Sequence, residues 1–294
     1  KSIGGVVMFA LISRHHKLFR RNKTLVAFSM LSVLIVLILY IAFLQKMQVD
    51  AIEQVIPEQE GVRVLVNEWM VAGILSIMGV TTTLSVLGLY IEDREKGVFK
   101  DFLSTPTNAA KLQLSYVING FFVGMTFSLV GLLLCELFLV STGGAFLSFT
   151  QLVKVLGVIT IGVLASTVVN CVLILFVHST AAFSTLGTIV GTVIGFLCGV
   201  YVPMGVLPNF VQQIILAFPI SHYTVLLRQI MMEDSLVTVF GQEAARSAYE
   251  ETYGVVFEWN NQAMTATASI TYLIVTTVVL ALVALFFFKK QHRI

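Results

Sequence analysis

Few residues in this sequence could do chemistry, and most of them lie within apolar stretches. His15 and His16 are adjacent in a basic segment with no further ligand nearby, so we expect both to be solvated rather than metal-bound. Three cysteines lie in apolar runs, which favours packed thiols over disulfides or a metal site. They are Cys135, Cys171 and Cys198. No catalytic triad, zinc motif, dinucleotide fingerprint or G-x-x-x-x-G-K-[ST] phosphate loop is present. We therefore expect no catalytic residue, metal or cofactor in this chain, and no ATP hydrolysis by this chain alone.

The composition explains why such residues are scarce. Of the 294 residues, 57% are hydrophobic and 12% are charged, whereas an ordinary soluble domain has roughly 25% charged residues. This excludes a soluble enzyme, a disordered tail and a nucleic-acid-binding protein. It predicts an all-α polytopic membrane protein that forms a single transmembrane domain over residues 1–294.

Uncharged stretches predict six membrane-spanning helices, because one crossing needs about 20 apolar residues. The uncharged stretch between Lys154 and Arg228 is long enough for two spans, and we divide it at the polar residues 178–180. The predicted spans lie near 24–44, 69–91, 113–140, 153–177, 182–203 and 264–288.

Basic residues are concentrated before the first span, after the second and after the last. By the positive-inside rule, both termini are therefore cytoplasmic. Residues 1–23 mix apolar and basic side chains, which predicts an amphipathic helix at the inner membrane interface. A basic anchor with no other role remains an alternative.

The loop over 92–111 carries charges of both signs within its first ten residues, followed by a short apolar face. Phe99, Phe102 and Leu103 are spaced as one face of a short helix. Pro106 ends it, because the residue before a proline avoids the helical region. Such a helix could dock on another protein, or it could be a solvated connector whose charges hold the topology.

This loop resembles that of the ABC type-2 transporter permease family. The matching residues are Asp93-Arg94-Glu95-Lys96-Gly97 and Leu103-Ser104-Thr105-Pro106, with Val98 where relatives often have Thr. The resemblance implies that the segment contains a coupling helix that sits in a groove of a cytosolic ATPase. The residues it assigns to coupling are Arg94, Glu95, Gly97, Phe99, Phe102, Leu103 and Pro106.

A second matching segment follows the fifth span. Two prolines bracket a segment too short to cross the bilayer, and we expect Asn209 and Ser221 to cap the helices on either side of the second proline. The motif residues are Leu207, Pro208, Pro219, His222 and Arg228. In the family that this segment resembles, residues 204–262 correspond to short re-entrant outer helices and an extracellular piece.

The fifth span carries glycines four residues apart, which favours close packing of one helix face. These are Gly187, Gly191, Gly195 and Gly199. The strip could pack within the chain, or it could belong to a moving or dimer-forming helix; the resemblance implies a helix near the dimer axis that lines the pathway. Three polar residues within spans are further candidates: Asn119, Glu136 and Asn170. We expect Glu136 either to be functional or to reach the membrane interface.

These observations predict the membrane subunit of an ATP-driven exporter. Its cargo is lipophilic or amphipathic: a drug, antibiotic, peptide or lipid. The resemblance implies two copies of an ABC ATPase that bind ATP and Mg, a second permease that is identical or homologous, contact with membrane lipid, no nucleic acid, and a bacterial cell membrane. Two alternatives stay open: a permease for lipid-linked polysaccharides, for which Tyr201, Phe210, Tyr223 and Trp69 could form an aromatic mouth, and a six-span scaffold or sensor without a transport path.

Overall fold

The computed structural model describes residues 3–54, 61–105, 107–259 and 262–291. The chain is helical almost throughout and forms an all-α polytopic membrane protein. The helices are α1 Ile3–Arg21, α2 Lys23–Leu39, α3 Gln45–Glu53, α4 Val62–Glu95, α5 Val98–Leu103, α6 Ala109–Ser141, α7 Phe149–Ile174, α8 Thr180–Leu197, α9 Asn209–Ala217, α10 Pro219–Met231, α11 Glu233–Val239, α12 Glu243–Thr252 and α13 Ala266–Gln291. A two-residue hairpin, β1 Glu258–Trp259 and β2 Gln262–Ala263, precedes α13.

Among the described residues, five helices are long and apolar enough to cross a membrane. They are α4, α6, α7, α8 and α13. Helices α9 and α10 together are also apolar enough, but an 87° bend separates them, as in a broken span or a re-entrant loop. The bend falls at Pro219, which takes the first position of α10.

The first apolar segment is not one regular α-helix, unlike the five helices above. Helix α2 has 17 residues and continues through a π-helical turn, Tyr40–Leu44, into α3 without a break. A π turn bonds each residue to the one five positions away, which brings Tyr40 and Gln45 to the same side. Both donate to the Asn67 side-chain oxygen of α4, from Tyr40 Oη at 3.2 Å and Gln45 Nε2 at 2.6 Å. The wider turn thus satisfies a fully buried amide.

Helix α4 is the centre of the bundle and packs against α6, α7, α8 and α10. Close approach around it depends on glycines in the neighbouring helices. A Cβ at Gly124 of α6 would lie 2.5 Å from Thr83 Cγ2, and a Cβ at Gly162 of α7 would lie 2.3 Å from the ring of Tyr223. Small residues at these crossings let the backbones approach within a membrane, where packing supplies much of the association energy.

The two predicted helix caps after the fifth span are wrong. Helix α9 begins at Asn209 with Pro208 as its N-cap, and α10 begins at Pro219 with Phe218 as its N-cap; neither has a side-chain cap. Helix α9 thus begins one residue earlier than we expected, and α10 begins three residues earlier because Pro219 fits the first position of the helix. Ser221 therefore lies inside α10, and its hydroxyl donates to the Leu197 carbonyl at 2.8 Å.

Candidate functional site

Helix α5 lies at one end of the bundle, directly after α4. Gly97 has a φ of +79°, a left-handed conformation that suits glycine and lets the chain turn between the two helices. Phe99 is buried against Tyr90, with ring centroids 5.7 Å apart, while Leu103 is 39% exposed. One side of α5 is thus anchored to α4 and the other faces outward. Pro106 lies outside the described residues.

Helix α1 holds the junction between α4 and α5. The Arg14 guanidinium donates two hydrogen bonds to the Asp93 carboxylate, at 2.7 and 3.2 Å, and lies 5.1 Å from the centroid of the Phe102 ring. Tyr116 of α6 donates to the same carboxylate at 2.6 Å. An Arg–carboxylate fork fixes orientation as well as distance, so α1, α4, α5 and α6 are joined at this point.

The prediction that His15 is solvated is wrong. His15 is fully buried, its Nε2 lies 2.9 Å from Ser115 Oγ, and its ring stacks on Tyr116 at 3.8 Å. Burial, followed by the positive charge of Arg14, lowers the pKa of His15 to about 4. His16, the neighbouring residue, is exposed.

Residue spacing in α1 could have identified this buried face. Leu11, His15 and Phe19 are four residues apart, and all three are buried. In a helix that spacing puts side chains on one face, whereas the basic run around His15 drew attention to the solvated side instead. Phe9, on another side of α1, is 75% exposed.

Glu95, the last residue of α4, reaches the start of α8. Its carboxylate accepts a hydrogen bond from the Thr180 backbone N–H at 2.9 Å, and Ser179 caps the same helix by accepting from the Ala182 N–H at 3.2 Å. The positive end of the helix dipole favours an anion there. Helix α8 is therefore attached to the segment that carries α5. Arg94 lies half-buried beside Tyr90.

Helix α8 is mostly exposed, and the glycine strip along it is shorter than we predicted. A Cβ at Gly187 or Gly191 would meet nothing within 4 Å, whereas a Cβ at Gly195 would lie 2.2 Å from the Tyr201 ring. Gly199 lies beyond the end of α8 and has a φ of +60°. Because the chain reverses after Leu197, the open strip consists of Gly187 and Gly191, and Gly195 packs within the chain.

Arg228 of α10 is buried among backbone carbonyls. Its Nη2 donates to the carbonyls of Cys198 and Gly199, at 3.1 and 2.9 Å, and its Nη1 donates to those of Tyr253 and Gly254, at 3.1 and 3.2 Å. The guanidinium also lies 4.6 Å from the centroid of the Trp69 ring. The carbonyls at a helix C-terminus carry partial negative charge. Arg228 thus fixes the end of α8 to α4 and to the segment after α12.

The other residues of the predicted outer motif lie around the same bend. His222 Nε2 donates to the Leu216 carbonyl at 2.8 Å, and its ring lies 4.3 Å from that of Tyr272 in α13. Leu207 packs in a small apolar cluster with Ile215 and Phe257, and Pro208 is exposed. The motif therefore connects α9, α10 and α13.

The polar residues within the helices differ in how they are satisfied. Asn170 donates to the Val80 carbonyl at 2.9 Å and to Thr83 Oγ1 at 2.8 Å, which joins α7 to α4. Glu136 is 7% exposed, and one carboxylate oxygen accepts from the Leu147 N–H at 3.0 Å. Asn119 is buried, and neither of its amide atoms has a hydrogen-bond partner in the part of the chain that the structure describes.

The chain has been compared with known protein families and with curated proteins. The family model described as "ABC-2 family transporter protein" matches residues 44–286. No curated protein gives a match. The matched range includes α4 and the α5 junction, helix α8, and the Arg228 bend. The chain therefore belongs to the ABC-2 type transporter permease family.

Proposed function

We propose that this chain, a transmembrane ABC transporter subunit, is an exporter permease in which α5 receives the motion of a cytosolic ABC ATPase. Membership of the family places ATPase activity in a separate subunit. The observation that carries the proposal is the double attachment of α5. Arg14 ties it to α1, and Glu95, at the end of the adjoining helix, holds the start of α8.

In the complex, two ATPase subunits bind ATP and Mg and contact two permeases, identical or homologous. ATP favours the state in which the ATPases close, since a ligand shifts an equilibrium only toward the state that it binds better. Movement of α5 then displaces the adjoining end of α4 and, through Glu95, the start of α8.

The cargo is lipophilic or amphipathic and moves outward along α8, between the two permeases. The exposed side chains of α8 include Ile189, Val193 and Phe196. Exposed threonines lie among them, and their hydroxyls donate to carbonyls of the same helix: Thr185, Thr188 and Thr192. The alternative cargo, a lipid-linked polysaccharide, depended on an aromatic mouth. Trp69 and Tyr223 are buried in the protein, so that mouth lacks two of its four rings. We propose a bacterial cell membrane as its location, on the family resemblance alone. The distribution of basic residues supports cytoplasmic termini.

Substitutions on the exposed side of α5 test the docking. In the double variant, Leu103→Asp introduces a negative charge and Lys100→Glu reverses a positive one, both at exposed positions of α5. The buried Phe99 is unchanged. We expect co-purification with the partner ABC ATPase to be lost, together with cargo-stimulated ATP hydrolysis, because the docking contact is removed.

The matched control is Val237→Asp, at a position 62% exposed in α11 at the opposite end of the bundle. It should leave both the complex and ATP hydrolysis unchanged. If the α5 variant retains the complex and full stimulation, α5 is not the docking element. If no ATPase co-purifies with the wild type, the scaffold or sensor interpretation replaces the exporter.

A further inference from the structure

A cavity of about 760 Å³ opens between α7, α10 and α13, at the end of the bundle opposite α5. Its volume lies within the range of about 300–1,000 Å³ that is typical of small-molecule sites. The floor consists of aliphatic side chains, among them Val158, Leu226, Ile230 and Ile270. No side chain fills the α7 wall at Gly157, where an added Cβ would meet nothing within 4 Å. The space is therefore open to an apolar chain.

Two of the helices that line the cavity also expose aliphatic side chains. Val153 of α7 is 53% exposed at its edge, and Val275 and Val278 of α13 are 52% and 54% exposed farther along the helix that forms one wall. Exposed aliphatic rows on spanning helices face lipid or another membrane helix. An acyl chain could therefore enter sideways from the bilayer.

The mouth of the cavity carries both signs of charge. Lys154 and Glu233 face each other at 3.9 Å, and each side chain is about half exposed, at 52% and 54%. That separation is too long for a hydrogen bond, so the ammonium and the carboxylate both keep the capacity to bind a third group. Arg246 and Glu250 form a closer pair, at 2.7 Å, on the same rim.

We propose that this cavity is a binding site for one zwitterionic phospholipid. Its acyl chain lies along the aliphatic floor past Gly157, its phosphate is bound by Lys154, and its headgroup amine is bound by Glu233. The site lies apart from α8 and is a lipid site rather than the cargo path. It depends on neither the direction of transport nor the ATPase.

Photolabelling of the full chain tests this proposal. The chain is reconstituted in vesicles of phosphatidylethanolamine and phosphatidylglycerol that contain a trace of phosphatidylethanolamine with a diazirine in its acyl chain. After irradiation, mass spectrometry maps the labelled residues. We expect label on α7 near Gly157 and on α13 near Ile270 to exceed label at the lipid-facing Leu282 by about tenfold, because hydrogen bonds from the headgroup to the charged Lys154 and Glu233 favour this position by at least that factor.

Gly157→Trp fills the cavity and should reduce its label to the level at Leu282, because the indole takes the space that the acyl chain would occupy. The control Thr160→Trp adds the same side chain at an exposed position of α7 that does not line the cavity. It should leave the label unchanged. Label spread evenly along α13, or equal loss in both variants, would overturn the site.

Headgroup recognition is tested without a change in packing. The double variant Lys154→Gln, Glu233→Gln should reduce labelling of the cavity by phosphatidylethanolamine. A diacylglycerol with a diazirine in its acyl chain should label the cavity weakly in every variant. Equal labelling by the diacylglycerol would overturn the headgroup assignment. Added inorganic phosphate should not compete, and if it does, the rim is a free-phosphate site and not a phospholipid site.

Discussion

At the scale of single residues, two buried side chains with ionisable groups do most to join separate parts of the chain. Arg228 binds four carbonyls and an aromatic face, and His15 fits between Ser115 and the ring of Tyr116. Arg228 has no carboxylate within hydrogen-bond distance among the described residues and depends on the geometry of neutral groups, whereas Nδ1 of His15 lies 3.2 Å from Nη1 of the charged Arg14. Each should therefore tolerate few replacements.

Replacement of Arg228 should destabilise the bundle more than loss of an exposed arginine. Arg228→Ala leaves four carbonyls without their donor, and a hydrogen bond to a charged group is worth about 1.5–3 kcal/mol. We expect a loss of about 3 kcal/mol or more, and Arg228→Lys should recover little because a single ammonium lacks the planar fork. Thermal unfolding of the purified protein measures the change.

Arg246→Ala is the matched control, since Arg246 belongs to an i,i+4 pair with Glu250 on α12. Pairs of this kind contribute only about 0.2–0.5 kcal/mol. An equal fall in melting temperature for the two alanine variants would show that the carbonyl contacts of Arg228 are not stabilising.

Acidification should loosen α1 through His15. Its pKa is about 4 in the folded protein, below the ordinary value of about 6.5. The folded state therefore binds fewer protons than the unfolded state between these values. The stability that neutral His15 contributes is complete above pH 6.5 and is lost as the pH falls toward 4, by at most about 1.4 kcal/mol per pH unit. The protection factors of the amides in 5–21, which compare each exchange rate with the intrinsic rate at the same pH, should fall over that range.

His15→Gln removes the titrating group and retains a donor for Ser115. The protection factors of the amides in 5–21 of this variant should vary less with pH over the same interval. Identical pH profiles in the wild type and the variant would show that another group controls the docking of α1.

At the scale of elements, the sequence predicts the apolar helices well but not what joins them. Each membrane-spanning helix needs a continuous stretch of apolar side chains. The positions of charges and prolines therefore mark the helix ends in the sequence. The attachment of Glu95 to Thr180, or of Arg14 to Asp93, involves residues 85 and 79 positions apart. No local pattern encodes such a pair. Similarly, the end of α8 before Gly199 depends on Arg228, which comes later in the sequence.

Loss of the Glu95 contact should weaken the transmission of motion from α5 to α8, while the complex with the ATPase remains. Glu95→Ala removes the acceptor for the Thr180 N–H, although Ser179 still caps α8. We expect the ATPase to remain bound and to hydrolyse ATP, but with less cargo transported per ATP. Transport and hydrolysis measured together in vesicles give this ratio.

Glu92→Ala, at a position whose partner Lys96 lies on the same exposed turn, is the control. It should leave the ratio unchanged. A normal ratio in Glu95→Ala would mean that α8 does not receive motion through this bond.

At the scale of the whole molecule, we propose the exposed glycine face of α8 as the contact surface for a second permease. The helix is buried at only two positions, Ile194 and Gly195, although it is apolar enough to span the membrane. Within one chain, nothing contacts the space beside Gly191. A helix with so little intramolecular packing needs another surface to contact.

Gly191→Leu separates the two interpretations of the strip. A leucine there meets nothing in the same chain, and it favours the helix by about 1 kcal/mol relative to glycine. The melting temperature of the monomer should therefore not fall, whereas dimerisation and transport should be impaired. Cross-linking in vesicles and transport assays measure both.

Thr160→Leu, on the exposed side of α7, should change neither property. If Gly191→Leu dimerises and transports normally, the strip is neither an interface nor a pathway.

The indole N–H of Trp69 donates to the carbonyl of Tyr253, a residue made 184 positions later. During synthesis, α4 enters the membrane long before that carbonyl and Arg228 exist. The indole N–H of Trp69 therefore stays without this acceptor until residue 253 has been translated, whereas Asn67 finds its partners Tyr40, Gln45 and Thr142 much earlier. Ribosomes that stall before residue 254 would release chains with an incomplete core. Membrane proteases can degrade such incomplete chains. Because of this long-range contact, resistance to degradation depends on synthesis of the chain through residue 254.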